Sequence, residues 1–177
     1  RSSNILHWHD YYEVCRIKQG KGVYLIGGRE HRFSSGDVFI IPGKETHVAY
    51  DVKEALIQVV LFDPKLLWDG IDLSFGEYLK PFWEVGVSFR NKIQFSHHLC
   101  KTFILILDAM EKEYSLQKKG YQQMIRASLF QLAAVLIRYL DSDQERNLSR
   151  TFKDFNRLKP IFDFIEANYY QPIRLKD

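Results

Sequence analysis

His7-Trp8-His9-Asp10-Tyr11-Tyr12-Glu13, followed by Gly20 and answered by Gly36-Asp37-Val38-Phe39-Ile40-Ile41-Pro42 and His47, is the stretch whose reading decides the fold. Side chains of an extended strand alternate between two faces with a period of two. As a strand, this stretch would put His7, His9, Tyr11 and Glu13 on one face and Trp8, Asp10, Tyr12 and Val14 on the other. A face carrying two imidazoles, a phenol and a carboxylate is expensive to bury unless its members bind one another or a ligand. His47, which follows the apolar run ending at Pro42, adds a third imidazole.

Outward from this stretch, residues 5–62 read as short strands separated by glycine turns. Tyr11–Ile17 runs to Gly20-Lys21-Gly22, and Val23–Ile26 runs to Gly27-Gly28, a two-residue hairpin signal. Arg29–Phe33 ends at Ser34-Ser35-Gly36-Asp37, and Val38–Ile41 at Pro42-Gly43; His47–Tyr50 and Ala55–Phe62 complete the set. No helix-length segment separates them, so the connections are antiparallel and the architecture is a β-sandwich or small barrel.

His7-x-His9-x3-Glu13-x6-Gly20 resembles the first cupin motif, and Gly36-x5-Pro42-x4-His47 resembles the second, with fifteen residues between the two. The second motif usually has a glycine two places after the proline, where this chain has Lys44 while Gly43 sits one place early. Its usual closing asparagine is Asp51. With Gly36-Asp37 and the opening His-x-His-Asp-x-x-Glu, residues 5–62 are most similar to the sensor domain of AraC/XylS-type bacterial transcription regulators. The resemblance implies an α+β fold, in which a small antiparallel β-barrel of the cupin (double-stranded β-helix) kind is followed by an antiparallel helical hairpin. It also implies a cytoplasmic homodimer with a small polar effector in the barrel.

Asp63-Pro64 ends the β region, and residues 63–95 read as an irregular connection packed on the barrel. From Ser96, a plausible N-cap, the period becomes helical. Leu99, Phe103, Ile106, Leu107, Met110 and Tyr114 form one stripe, and Gly120 reads as a stop. A second stripe carries Met124, Ile125, Leu129, Leu132, Ala133, Leu136 and Tyr139. The pair, over 96–140, should form a hairpin. In the resembled family such helices dimerise the protein, which would place Met124, Ile125, Leu129, Leu132 and Leu136 at the interface. The competing reading packs the stripe on the chain's own barrel. Residues 141–157 read as a polar linker. Leu158–Leu175, with Ile161, Phe164, Ile165 and Asn168 on one helical face and Gln171-Pro172 as terminator, resembles the opening helix of the family's helix-turn-helix DNA-binding domain. An ordinary amphipathic helix is the alternative. On the family reading residues 158–177 are a truncated start, and DNA would be bound only through the missing remainder.

Composition sets outer bounds. The 177 residues are 46% apolar and 15% aromatic, enough for a substantial core. No apolar run reaches the roughly 18–20 residues of a membrane span. A net charge of +3 is too weak to argue for nucleic-acid binding. Cys15 and Cys100 lack metal-ligand spacing and read as free thiols in a reducing compartment.

The chemistry available is of two kinds. His7, His9, Glu13 and His47 have donor types that suit Zn²⁺, Ni²⁺, Fe²⁺ or Mn²⁺. The two arm histidines would stand about 6.5 Å apart along a strand, but Glu13 would lie about 13 Å beyond His9 unless a turn or bulge at 10–12 folds it back. Alternatively His7, His9, Tyr11, Glu13, Tyr24 and His47 line a cavity and hydrogen-bond the hydroxyl, carboxylate or amine groups of an effector, the case the family resemblance favours. Plainer roles are also open: Glu13 could pair with Arg16 or Arg29, His47 could be solvated, Tyr24 could equally pack in the core, and His31 could be an exposed strand residue. No nucleophile–base pair, phosphate loop or cysteine–metal cluster is visible. The expectation is a non-enzymatic sensor and dimerisation region; a metal-dependent cupin enzyme of dioxygenase or isomerase type is the alternative.

Overall fold

The computed structural model describes residues 5–67 and 90–143, together with Phe164. The chain divides into two compact units, residues 1–139 and 140–177. The first holds strands β1 (Tyr12–Ile26), β2 (Arg29–Ser34), β3 (Val38–Ile41), β4 (His47–Phe62) and β5 (Lys92–Ile93), then helix α1 (Cys100–Leu116) and most of α2 (Tyr121–Asp143). In the second, Phe164 is helical and exposed. Residues 141–143, expected to open the linker, continue α2; the rest of the linker and of the truncated DNA-binding start lies outside the described residues, as do residues 68–89 of the expected irregular connection.

The fold is α+β: one curled antiparallel sheet of half-barrel form, with two helices. Its spine is the ribbon of β1 and β4, which pair along their whole length from Tyr12 opposite Phe62 to Ile26 opposite His47. β3 adds beside the first part of β1 (Glu13 opposite Ile41), and β2 beside the last part (Tyr24 opposite His31). β5 extends β3, with Val38 opposite Ile93. That strand occupies a stretch expected to be irregular, and two residues are too few for periodicity to reveal.

Two strands expected to be broken are continuous. Gly20 and Gly22 do not end β1; they bend it, and the pairing with β4 shifts register between Ile17 and Val23. Gly20 takes φ +87°, and a Cβ there would sit 2.5 Å from backbone atoms of Lys53, Glu54 and Ala55. The partner strand bends with it, through left-handed conformations at Asp51 (φ 50°) and Glu54 (φ 48°). The irregularity also changes which parity faces inward. Before the bend Cys15 and Ile17 point into the barrel, and after it Tyr24 and Ile26 do, joining Phe33, Phe39 and Ile41 in one buried cluster. At the hinge of this cluster Tyr24 lies 4.9 Å from Phe39 and 5.4 Å from Phe33, ring to ring.

The sheet's other face lies under the helices. Arg16 pairs with Asp108, Lys18 Nζ lies 2.5 Å from Glu111, and Gln58 Nε2 donates to the Leu107 carbonyl at 2.9 Å. Val14, Val38 and Ile40 of this face are fully buried, as are Phe103 and Leu107 of α1. α1 begins at Cys100, with Leu99 rather than Ser96 in the cap position, and it ends before Gln117 in the left-handed conformation, short of Gly120. Residues 117–120 connect it to α2, and Phe103 near the start of one helix meets Tyr139 near the end of the other edge to face, so the helices are antiparallel. Leu129, Leu132 and Leu136 are buried within this body, whereas Met124 is exposed and Ile125 half-buried. Burying a leucine in its own subunit removes it from any surface a second copy could touch, so of the five residues placed at an interface only Met124 and part of Ile125 are accessible.

Candidate functional site

Residues 5–11 are not a strand. They form an arm that bends at Asp10-Tyr11 before β1 begins. The arm is tied to the start of β4 by a single bridge between His7 and His47, with backbone hydrogen bonds of 3.1 and 2.8 Å, and to the β3–β4 loop by Lys44 N–H donating to the His9 carbonyl at 2.7 Å. Gly43 lets the arm pass: a Cβ there would fall 2.5 Å from the Asp10 carbonyl oxygen. Lys44 takes φ 67°, the left-handed conformation that favours glycine.

This route brings His7, His9, Glu13 and His47 together. The His7 and His47 rings are 4.4 Å apart between centroids, those of His9 and His47 5.0 Å, and those of His7 and His9 6.0 Å. Each ring offers a ligating nitrogen within 4.8 Å of the other two. In all three the Nδ1 is occupied by a backbone carbonyl: Ile5 at 2.9 Å for His7, Tyr11 at 3.0 Å for His9 and Glu45 at 2.9 Å for His47. In a neutral ring, donation from Nδ1–H leaves Nε2 as the lone-pair nitrogen. Glu13 Oε2 lies 3.1 Å from His9 Nε2 and 3.4 Å from His47 Nε2. The second contact has no hydrogen-bond alignment, which leaves His47 Nε2 a buried nitrogen without a hydrogen-bond partner.

Behind the quartet runs a buried relay that the sequence did not announce. Cys15 Sγ donates to Glu13 Oε1 at 2.7 Å, and the Tyr24 hydroxyl donates to Cys15 Sγ at 3.5 Å. Cys15, read from the sequence only as a free thiol, therefore fixes the rotation of the carboxylate and leaves Oε2 to the histidines. Its place two residues from Glu13, on the same strand face, was the available signal. Tyr24 lies apart from the quartet, in the aromatic cluster. Tyr11 is half exposed, its ring 6.2 Å from that of His9.

The electrostatics follow from this enclosure. Burial pushes the Glu13 carboxyl up, but His47, the Cys15 thiol and His9 outweigh it and hold its pKa down to about 2. Burial pushes His47 down, and Glu13 together with the Glu45 carbonyl outweighs that and raises it. Burial raises Cys15 well above a free thiol, with Glu13 adding to the effect, and likewise raises Tyr24. Both relay groups stay protonated and act as donors. His31, opposite Tyr24 and half-buried, is lowered by burial.

Residues 2–133 match the AraC-like ligand binding domain family. The chain belongs to this family. Among its relatives, the HTH-type transcriptional activator RhaR of Klebsiella pneumoniae subsp. pneumoniae is 29% identical over 86 residues, 45% of this chain and 31% of that protein. RhaR of Escherichia coli O1:K1 / APEC is 27% identical over 86 residues, 45% of this chain and 30% of that protein. The aligned region thus spans about a third of each relative. A crystal structure of the AraC-like transcriptional activator CuxR superposes with a TM-score of 0.46 at 14% identity, over 71% of this chain and 43% of that one. The family match and the RhaR relatives point to a transcription regulator rather than an enzyme. Among the described residues no helix is long and apolar enough to cross a membrane.

Two departures from the second cupin motif acquire a physical reason. Lys44 and Asp51 stand where that motif usually has glycine and asparagine, the residues that most readily adopt a positive φ, and both have one here.

Proposed function

We propose that this chain is the signal-sensing and dimerisation region of a cytoplasmic transcription regulator, and that its signal is read at His7, His9, His47 and Glu13, which hold a divalent cation. The observation that carries this reading is the common arrangement of the three imidazoles, each with Nδ1 on a carbonyl and a ligating nitrogen within 4.8 Å of the other two, with Nε2 of His9 and of His47 facing Glu13. Such outer partners fix the tautomer that ligates a metal. Ligands at tetrahedral angles on one Zn²⁺ are about 3.3 Å apart, and Glu13 Oε2 already stands 3.1 and 3.4 Å from two of the nitrogens. The buried His47 Nε2, close to Glu13 but without a hydrogen bond, fits the same role. Zn²⁺, Ni²⁺, Fe²⁺ and Mn²⁺ all suit three imidazoles and a carboxylate, and any of them would supply a Lewis-acidic centre for oxygen donors of a small effector.

The protein's own part is to orient and to couple. Cys15 and the three carbonyls set the donors, and the exposed side of His7 is the way in. His7 and His9 stand on the arm, whereas Glu13 and His47 stand on the sheet. A ligand engaging both binds the docked arm better than a free one, the differential affinity that sensing requires. Exposed Leu105, Leu116 and Met124 offer apolar helix surface to a second copy. DNA contacts belong to the remainder of the regulator.

Calorimetric titration of Zn²⁺ into EDTA-stripped protein, followed by acetate as a minimal oxygen donor, tests this. Binding of about one ion per chain, with acetate bound only by the loaded protein, is expected. Acetate binding that is indifferent to the metal would contradict it.

A further inference from the structure

The face that carries Glu13 and Cys15 continues beyond the quartet onto β4, and there it is apolar and open. Residues directly opposite in an antiparallel pair project from the same side of the sheet. Leu61 is opposite Glu13 and Val59 opposite Cys15, one row along from Ile57 opposite Ile17. Ile57 packs against the barrel's inner cluster. Val59 and Leu61, on that same concave face, are 46% and 52% exposed. Their even-numbered neighbour Gln58 turns the other way, toward α1. The concave face therefore runs out from its own aromatic core into a half-exposed apolar strip that begins beside Glu13.

The strip reaches the quartet because the ribbon closes on itself. Glu13 and Ile26 would be about 43 Å apart on a straight strand, yet His47, the partner of Ile26, touches Glu13. Both ends of β4, His47 at the start and Leu61 near the finish, thus flank one carboxylate. On the interior side Tyr24, Phe33 and Phe39 are buried and pack ring against ring. The accessible apolar side chains on the face of Glu13 are Val59 and Leu61.

We propose that the effector is an amphiphile, a carboxylate or equivalent oxygen head with an aliphatic or aromatic body, its head at the quartet and its body along Val59 and Leu61. This rests on the quartet being the sensing site, and it replaces a wholly polar effector with one polar only at one end. Charge selects the head: three imidazoles and a divalent cation against one carboxylate leave the site cationic and attract an anion. The strip selects the body, since its two side chains are branched and carry no hydrogen-bonding group.

The test is a homologous series. Zn²⁺-loaded protein is titrated with straight-chain monocarboxylates from acetate to octanoate, and with 7-hydroxyheptanoate, which has the same head and the length of octanoate on a body that ends in a hydroxyl. Each added methylene should tighten binding about threefold to fourfold, the factor for roughly 0.8 kcal/mol per buried CH₂. Octanoate should outbind 7-hydroxyheptanoate, and Leu61→Asn, at a position already half exposed, should flatten the series without moving the unfolding midpoint. A flat series in the unaltered protein, or 7-hydroxyheptanoate binding more tightly than octanoate, would overturn the amphiphile while leaving the sensing site in place. Failure of acetate itself to bind would instead remove the site, and this proposal with it. Sedimentation showing a dimer that Leu61→Asn dissociates would assign the strip to a second copy and also overturn it.

Discussion

Glu13 and His47 are far apart in the sequence, yet Oε2 of the one lies 3.4 Å from Nε2 of the other. The distance is a consequence of curvature. β1 and β4 pair along their whole length, and bends at Gly20, Asp51 and Glu54 roll the pair until its beginning meets its end. The polar quartet sits at that closure, so groups that would be costly to bury singly satisfy one another there.

In EDTA the pair should give the protein a stability maximum on the acid side of neutrality. Glu13 falls from 4.5 to about 2 on folding, so its contribution is present above 4.5 and lost as pH drops from there toward 2. His47 is raised above 6.5, so its contribution is present below 6.5 and lost as pH climbs through its folded value. Both limbs come from one interaction and are not added. Unfolding free energies from urea titrations between pH 2 and 9 should fall on the acid side by up to about 3 kcal/mol and fall again on the alkaline side, and Glu13→Gln should flatten both limbs. A profile unchanged by Glu13→Gln would remove the pair from the account.

Cys15 should behave as a donor to Glu13 rather than as a reactive thiol. Cys15→Ala leaves Glu13 Oε1 buried without its partner, and about 1–3 kcal/mol of stability should be lost. Cys15→Ser keeps a donor and should lose less. Denaturant titration separates the two, and equal losses would mean that the thiol only fills space.

Backbone conformation gives opposite signs at two positions. Gly20→Ala meets backbone atoms of β4 at 2.5 Å in a left-handed conformation and should destabilise the fold by about 3 kcal/mol or more. Lys44→Gly relieves a strained φ and should stabilise it by about 0.5–1 kcal/mol. Thermal unfolding of the two variants reads both signs, and a neutral Gly20→Ala would contradict the bend.

The helices separate stability from association. Leu132→Ala or Leu136→Ala should cost about 2–5 kcal/mol, because both residues are fully buried in their own subunit. Met124→Glu, at an exposed site, should change stability by less than about 0.5 kcal/mol while weakening self-association. Sedimentation equilibrium reads the second effect; a dimer indifferent to Met124→Glu would place the interface elsewhere.

The sequence made the elements of this fold visible more readily than their curvature. Val38–Ile41 and the Gly27-Gly28 hairpin announce themselves through apolar runs and turn chemistry. The continuity of β1 did not, because a glycine that bends a strand and one that ends it are the same letter. Parity put Tyr11 with His7 and His9, but the histidines meet Glu13 through an irregular arm whose path depends on Gly43 and Lys44. For Tyr24 the sequence leaves cavity and core open equally; the register shift turns it into the aromatic core, where it reaches the site through Cys15. Val59 and Leu61 look like ordinary strand residues until the register sets them beside Cys15 and Glu13.

Metal content is the most direct test of the central claim. Protein stripped with EDTA, equilibrated with Zn²⁺ and dialysed should retain about one ion per chain, bound by imidazole nitrogens and a carboxylate oxygen in its X-ray absorption spectrum. His47→Ala should lose the ion while still folding. Retention by His47→Ala equal to that of the unaltered protein, or no retention by either, would contradict the site as described.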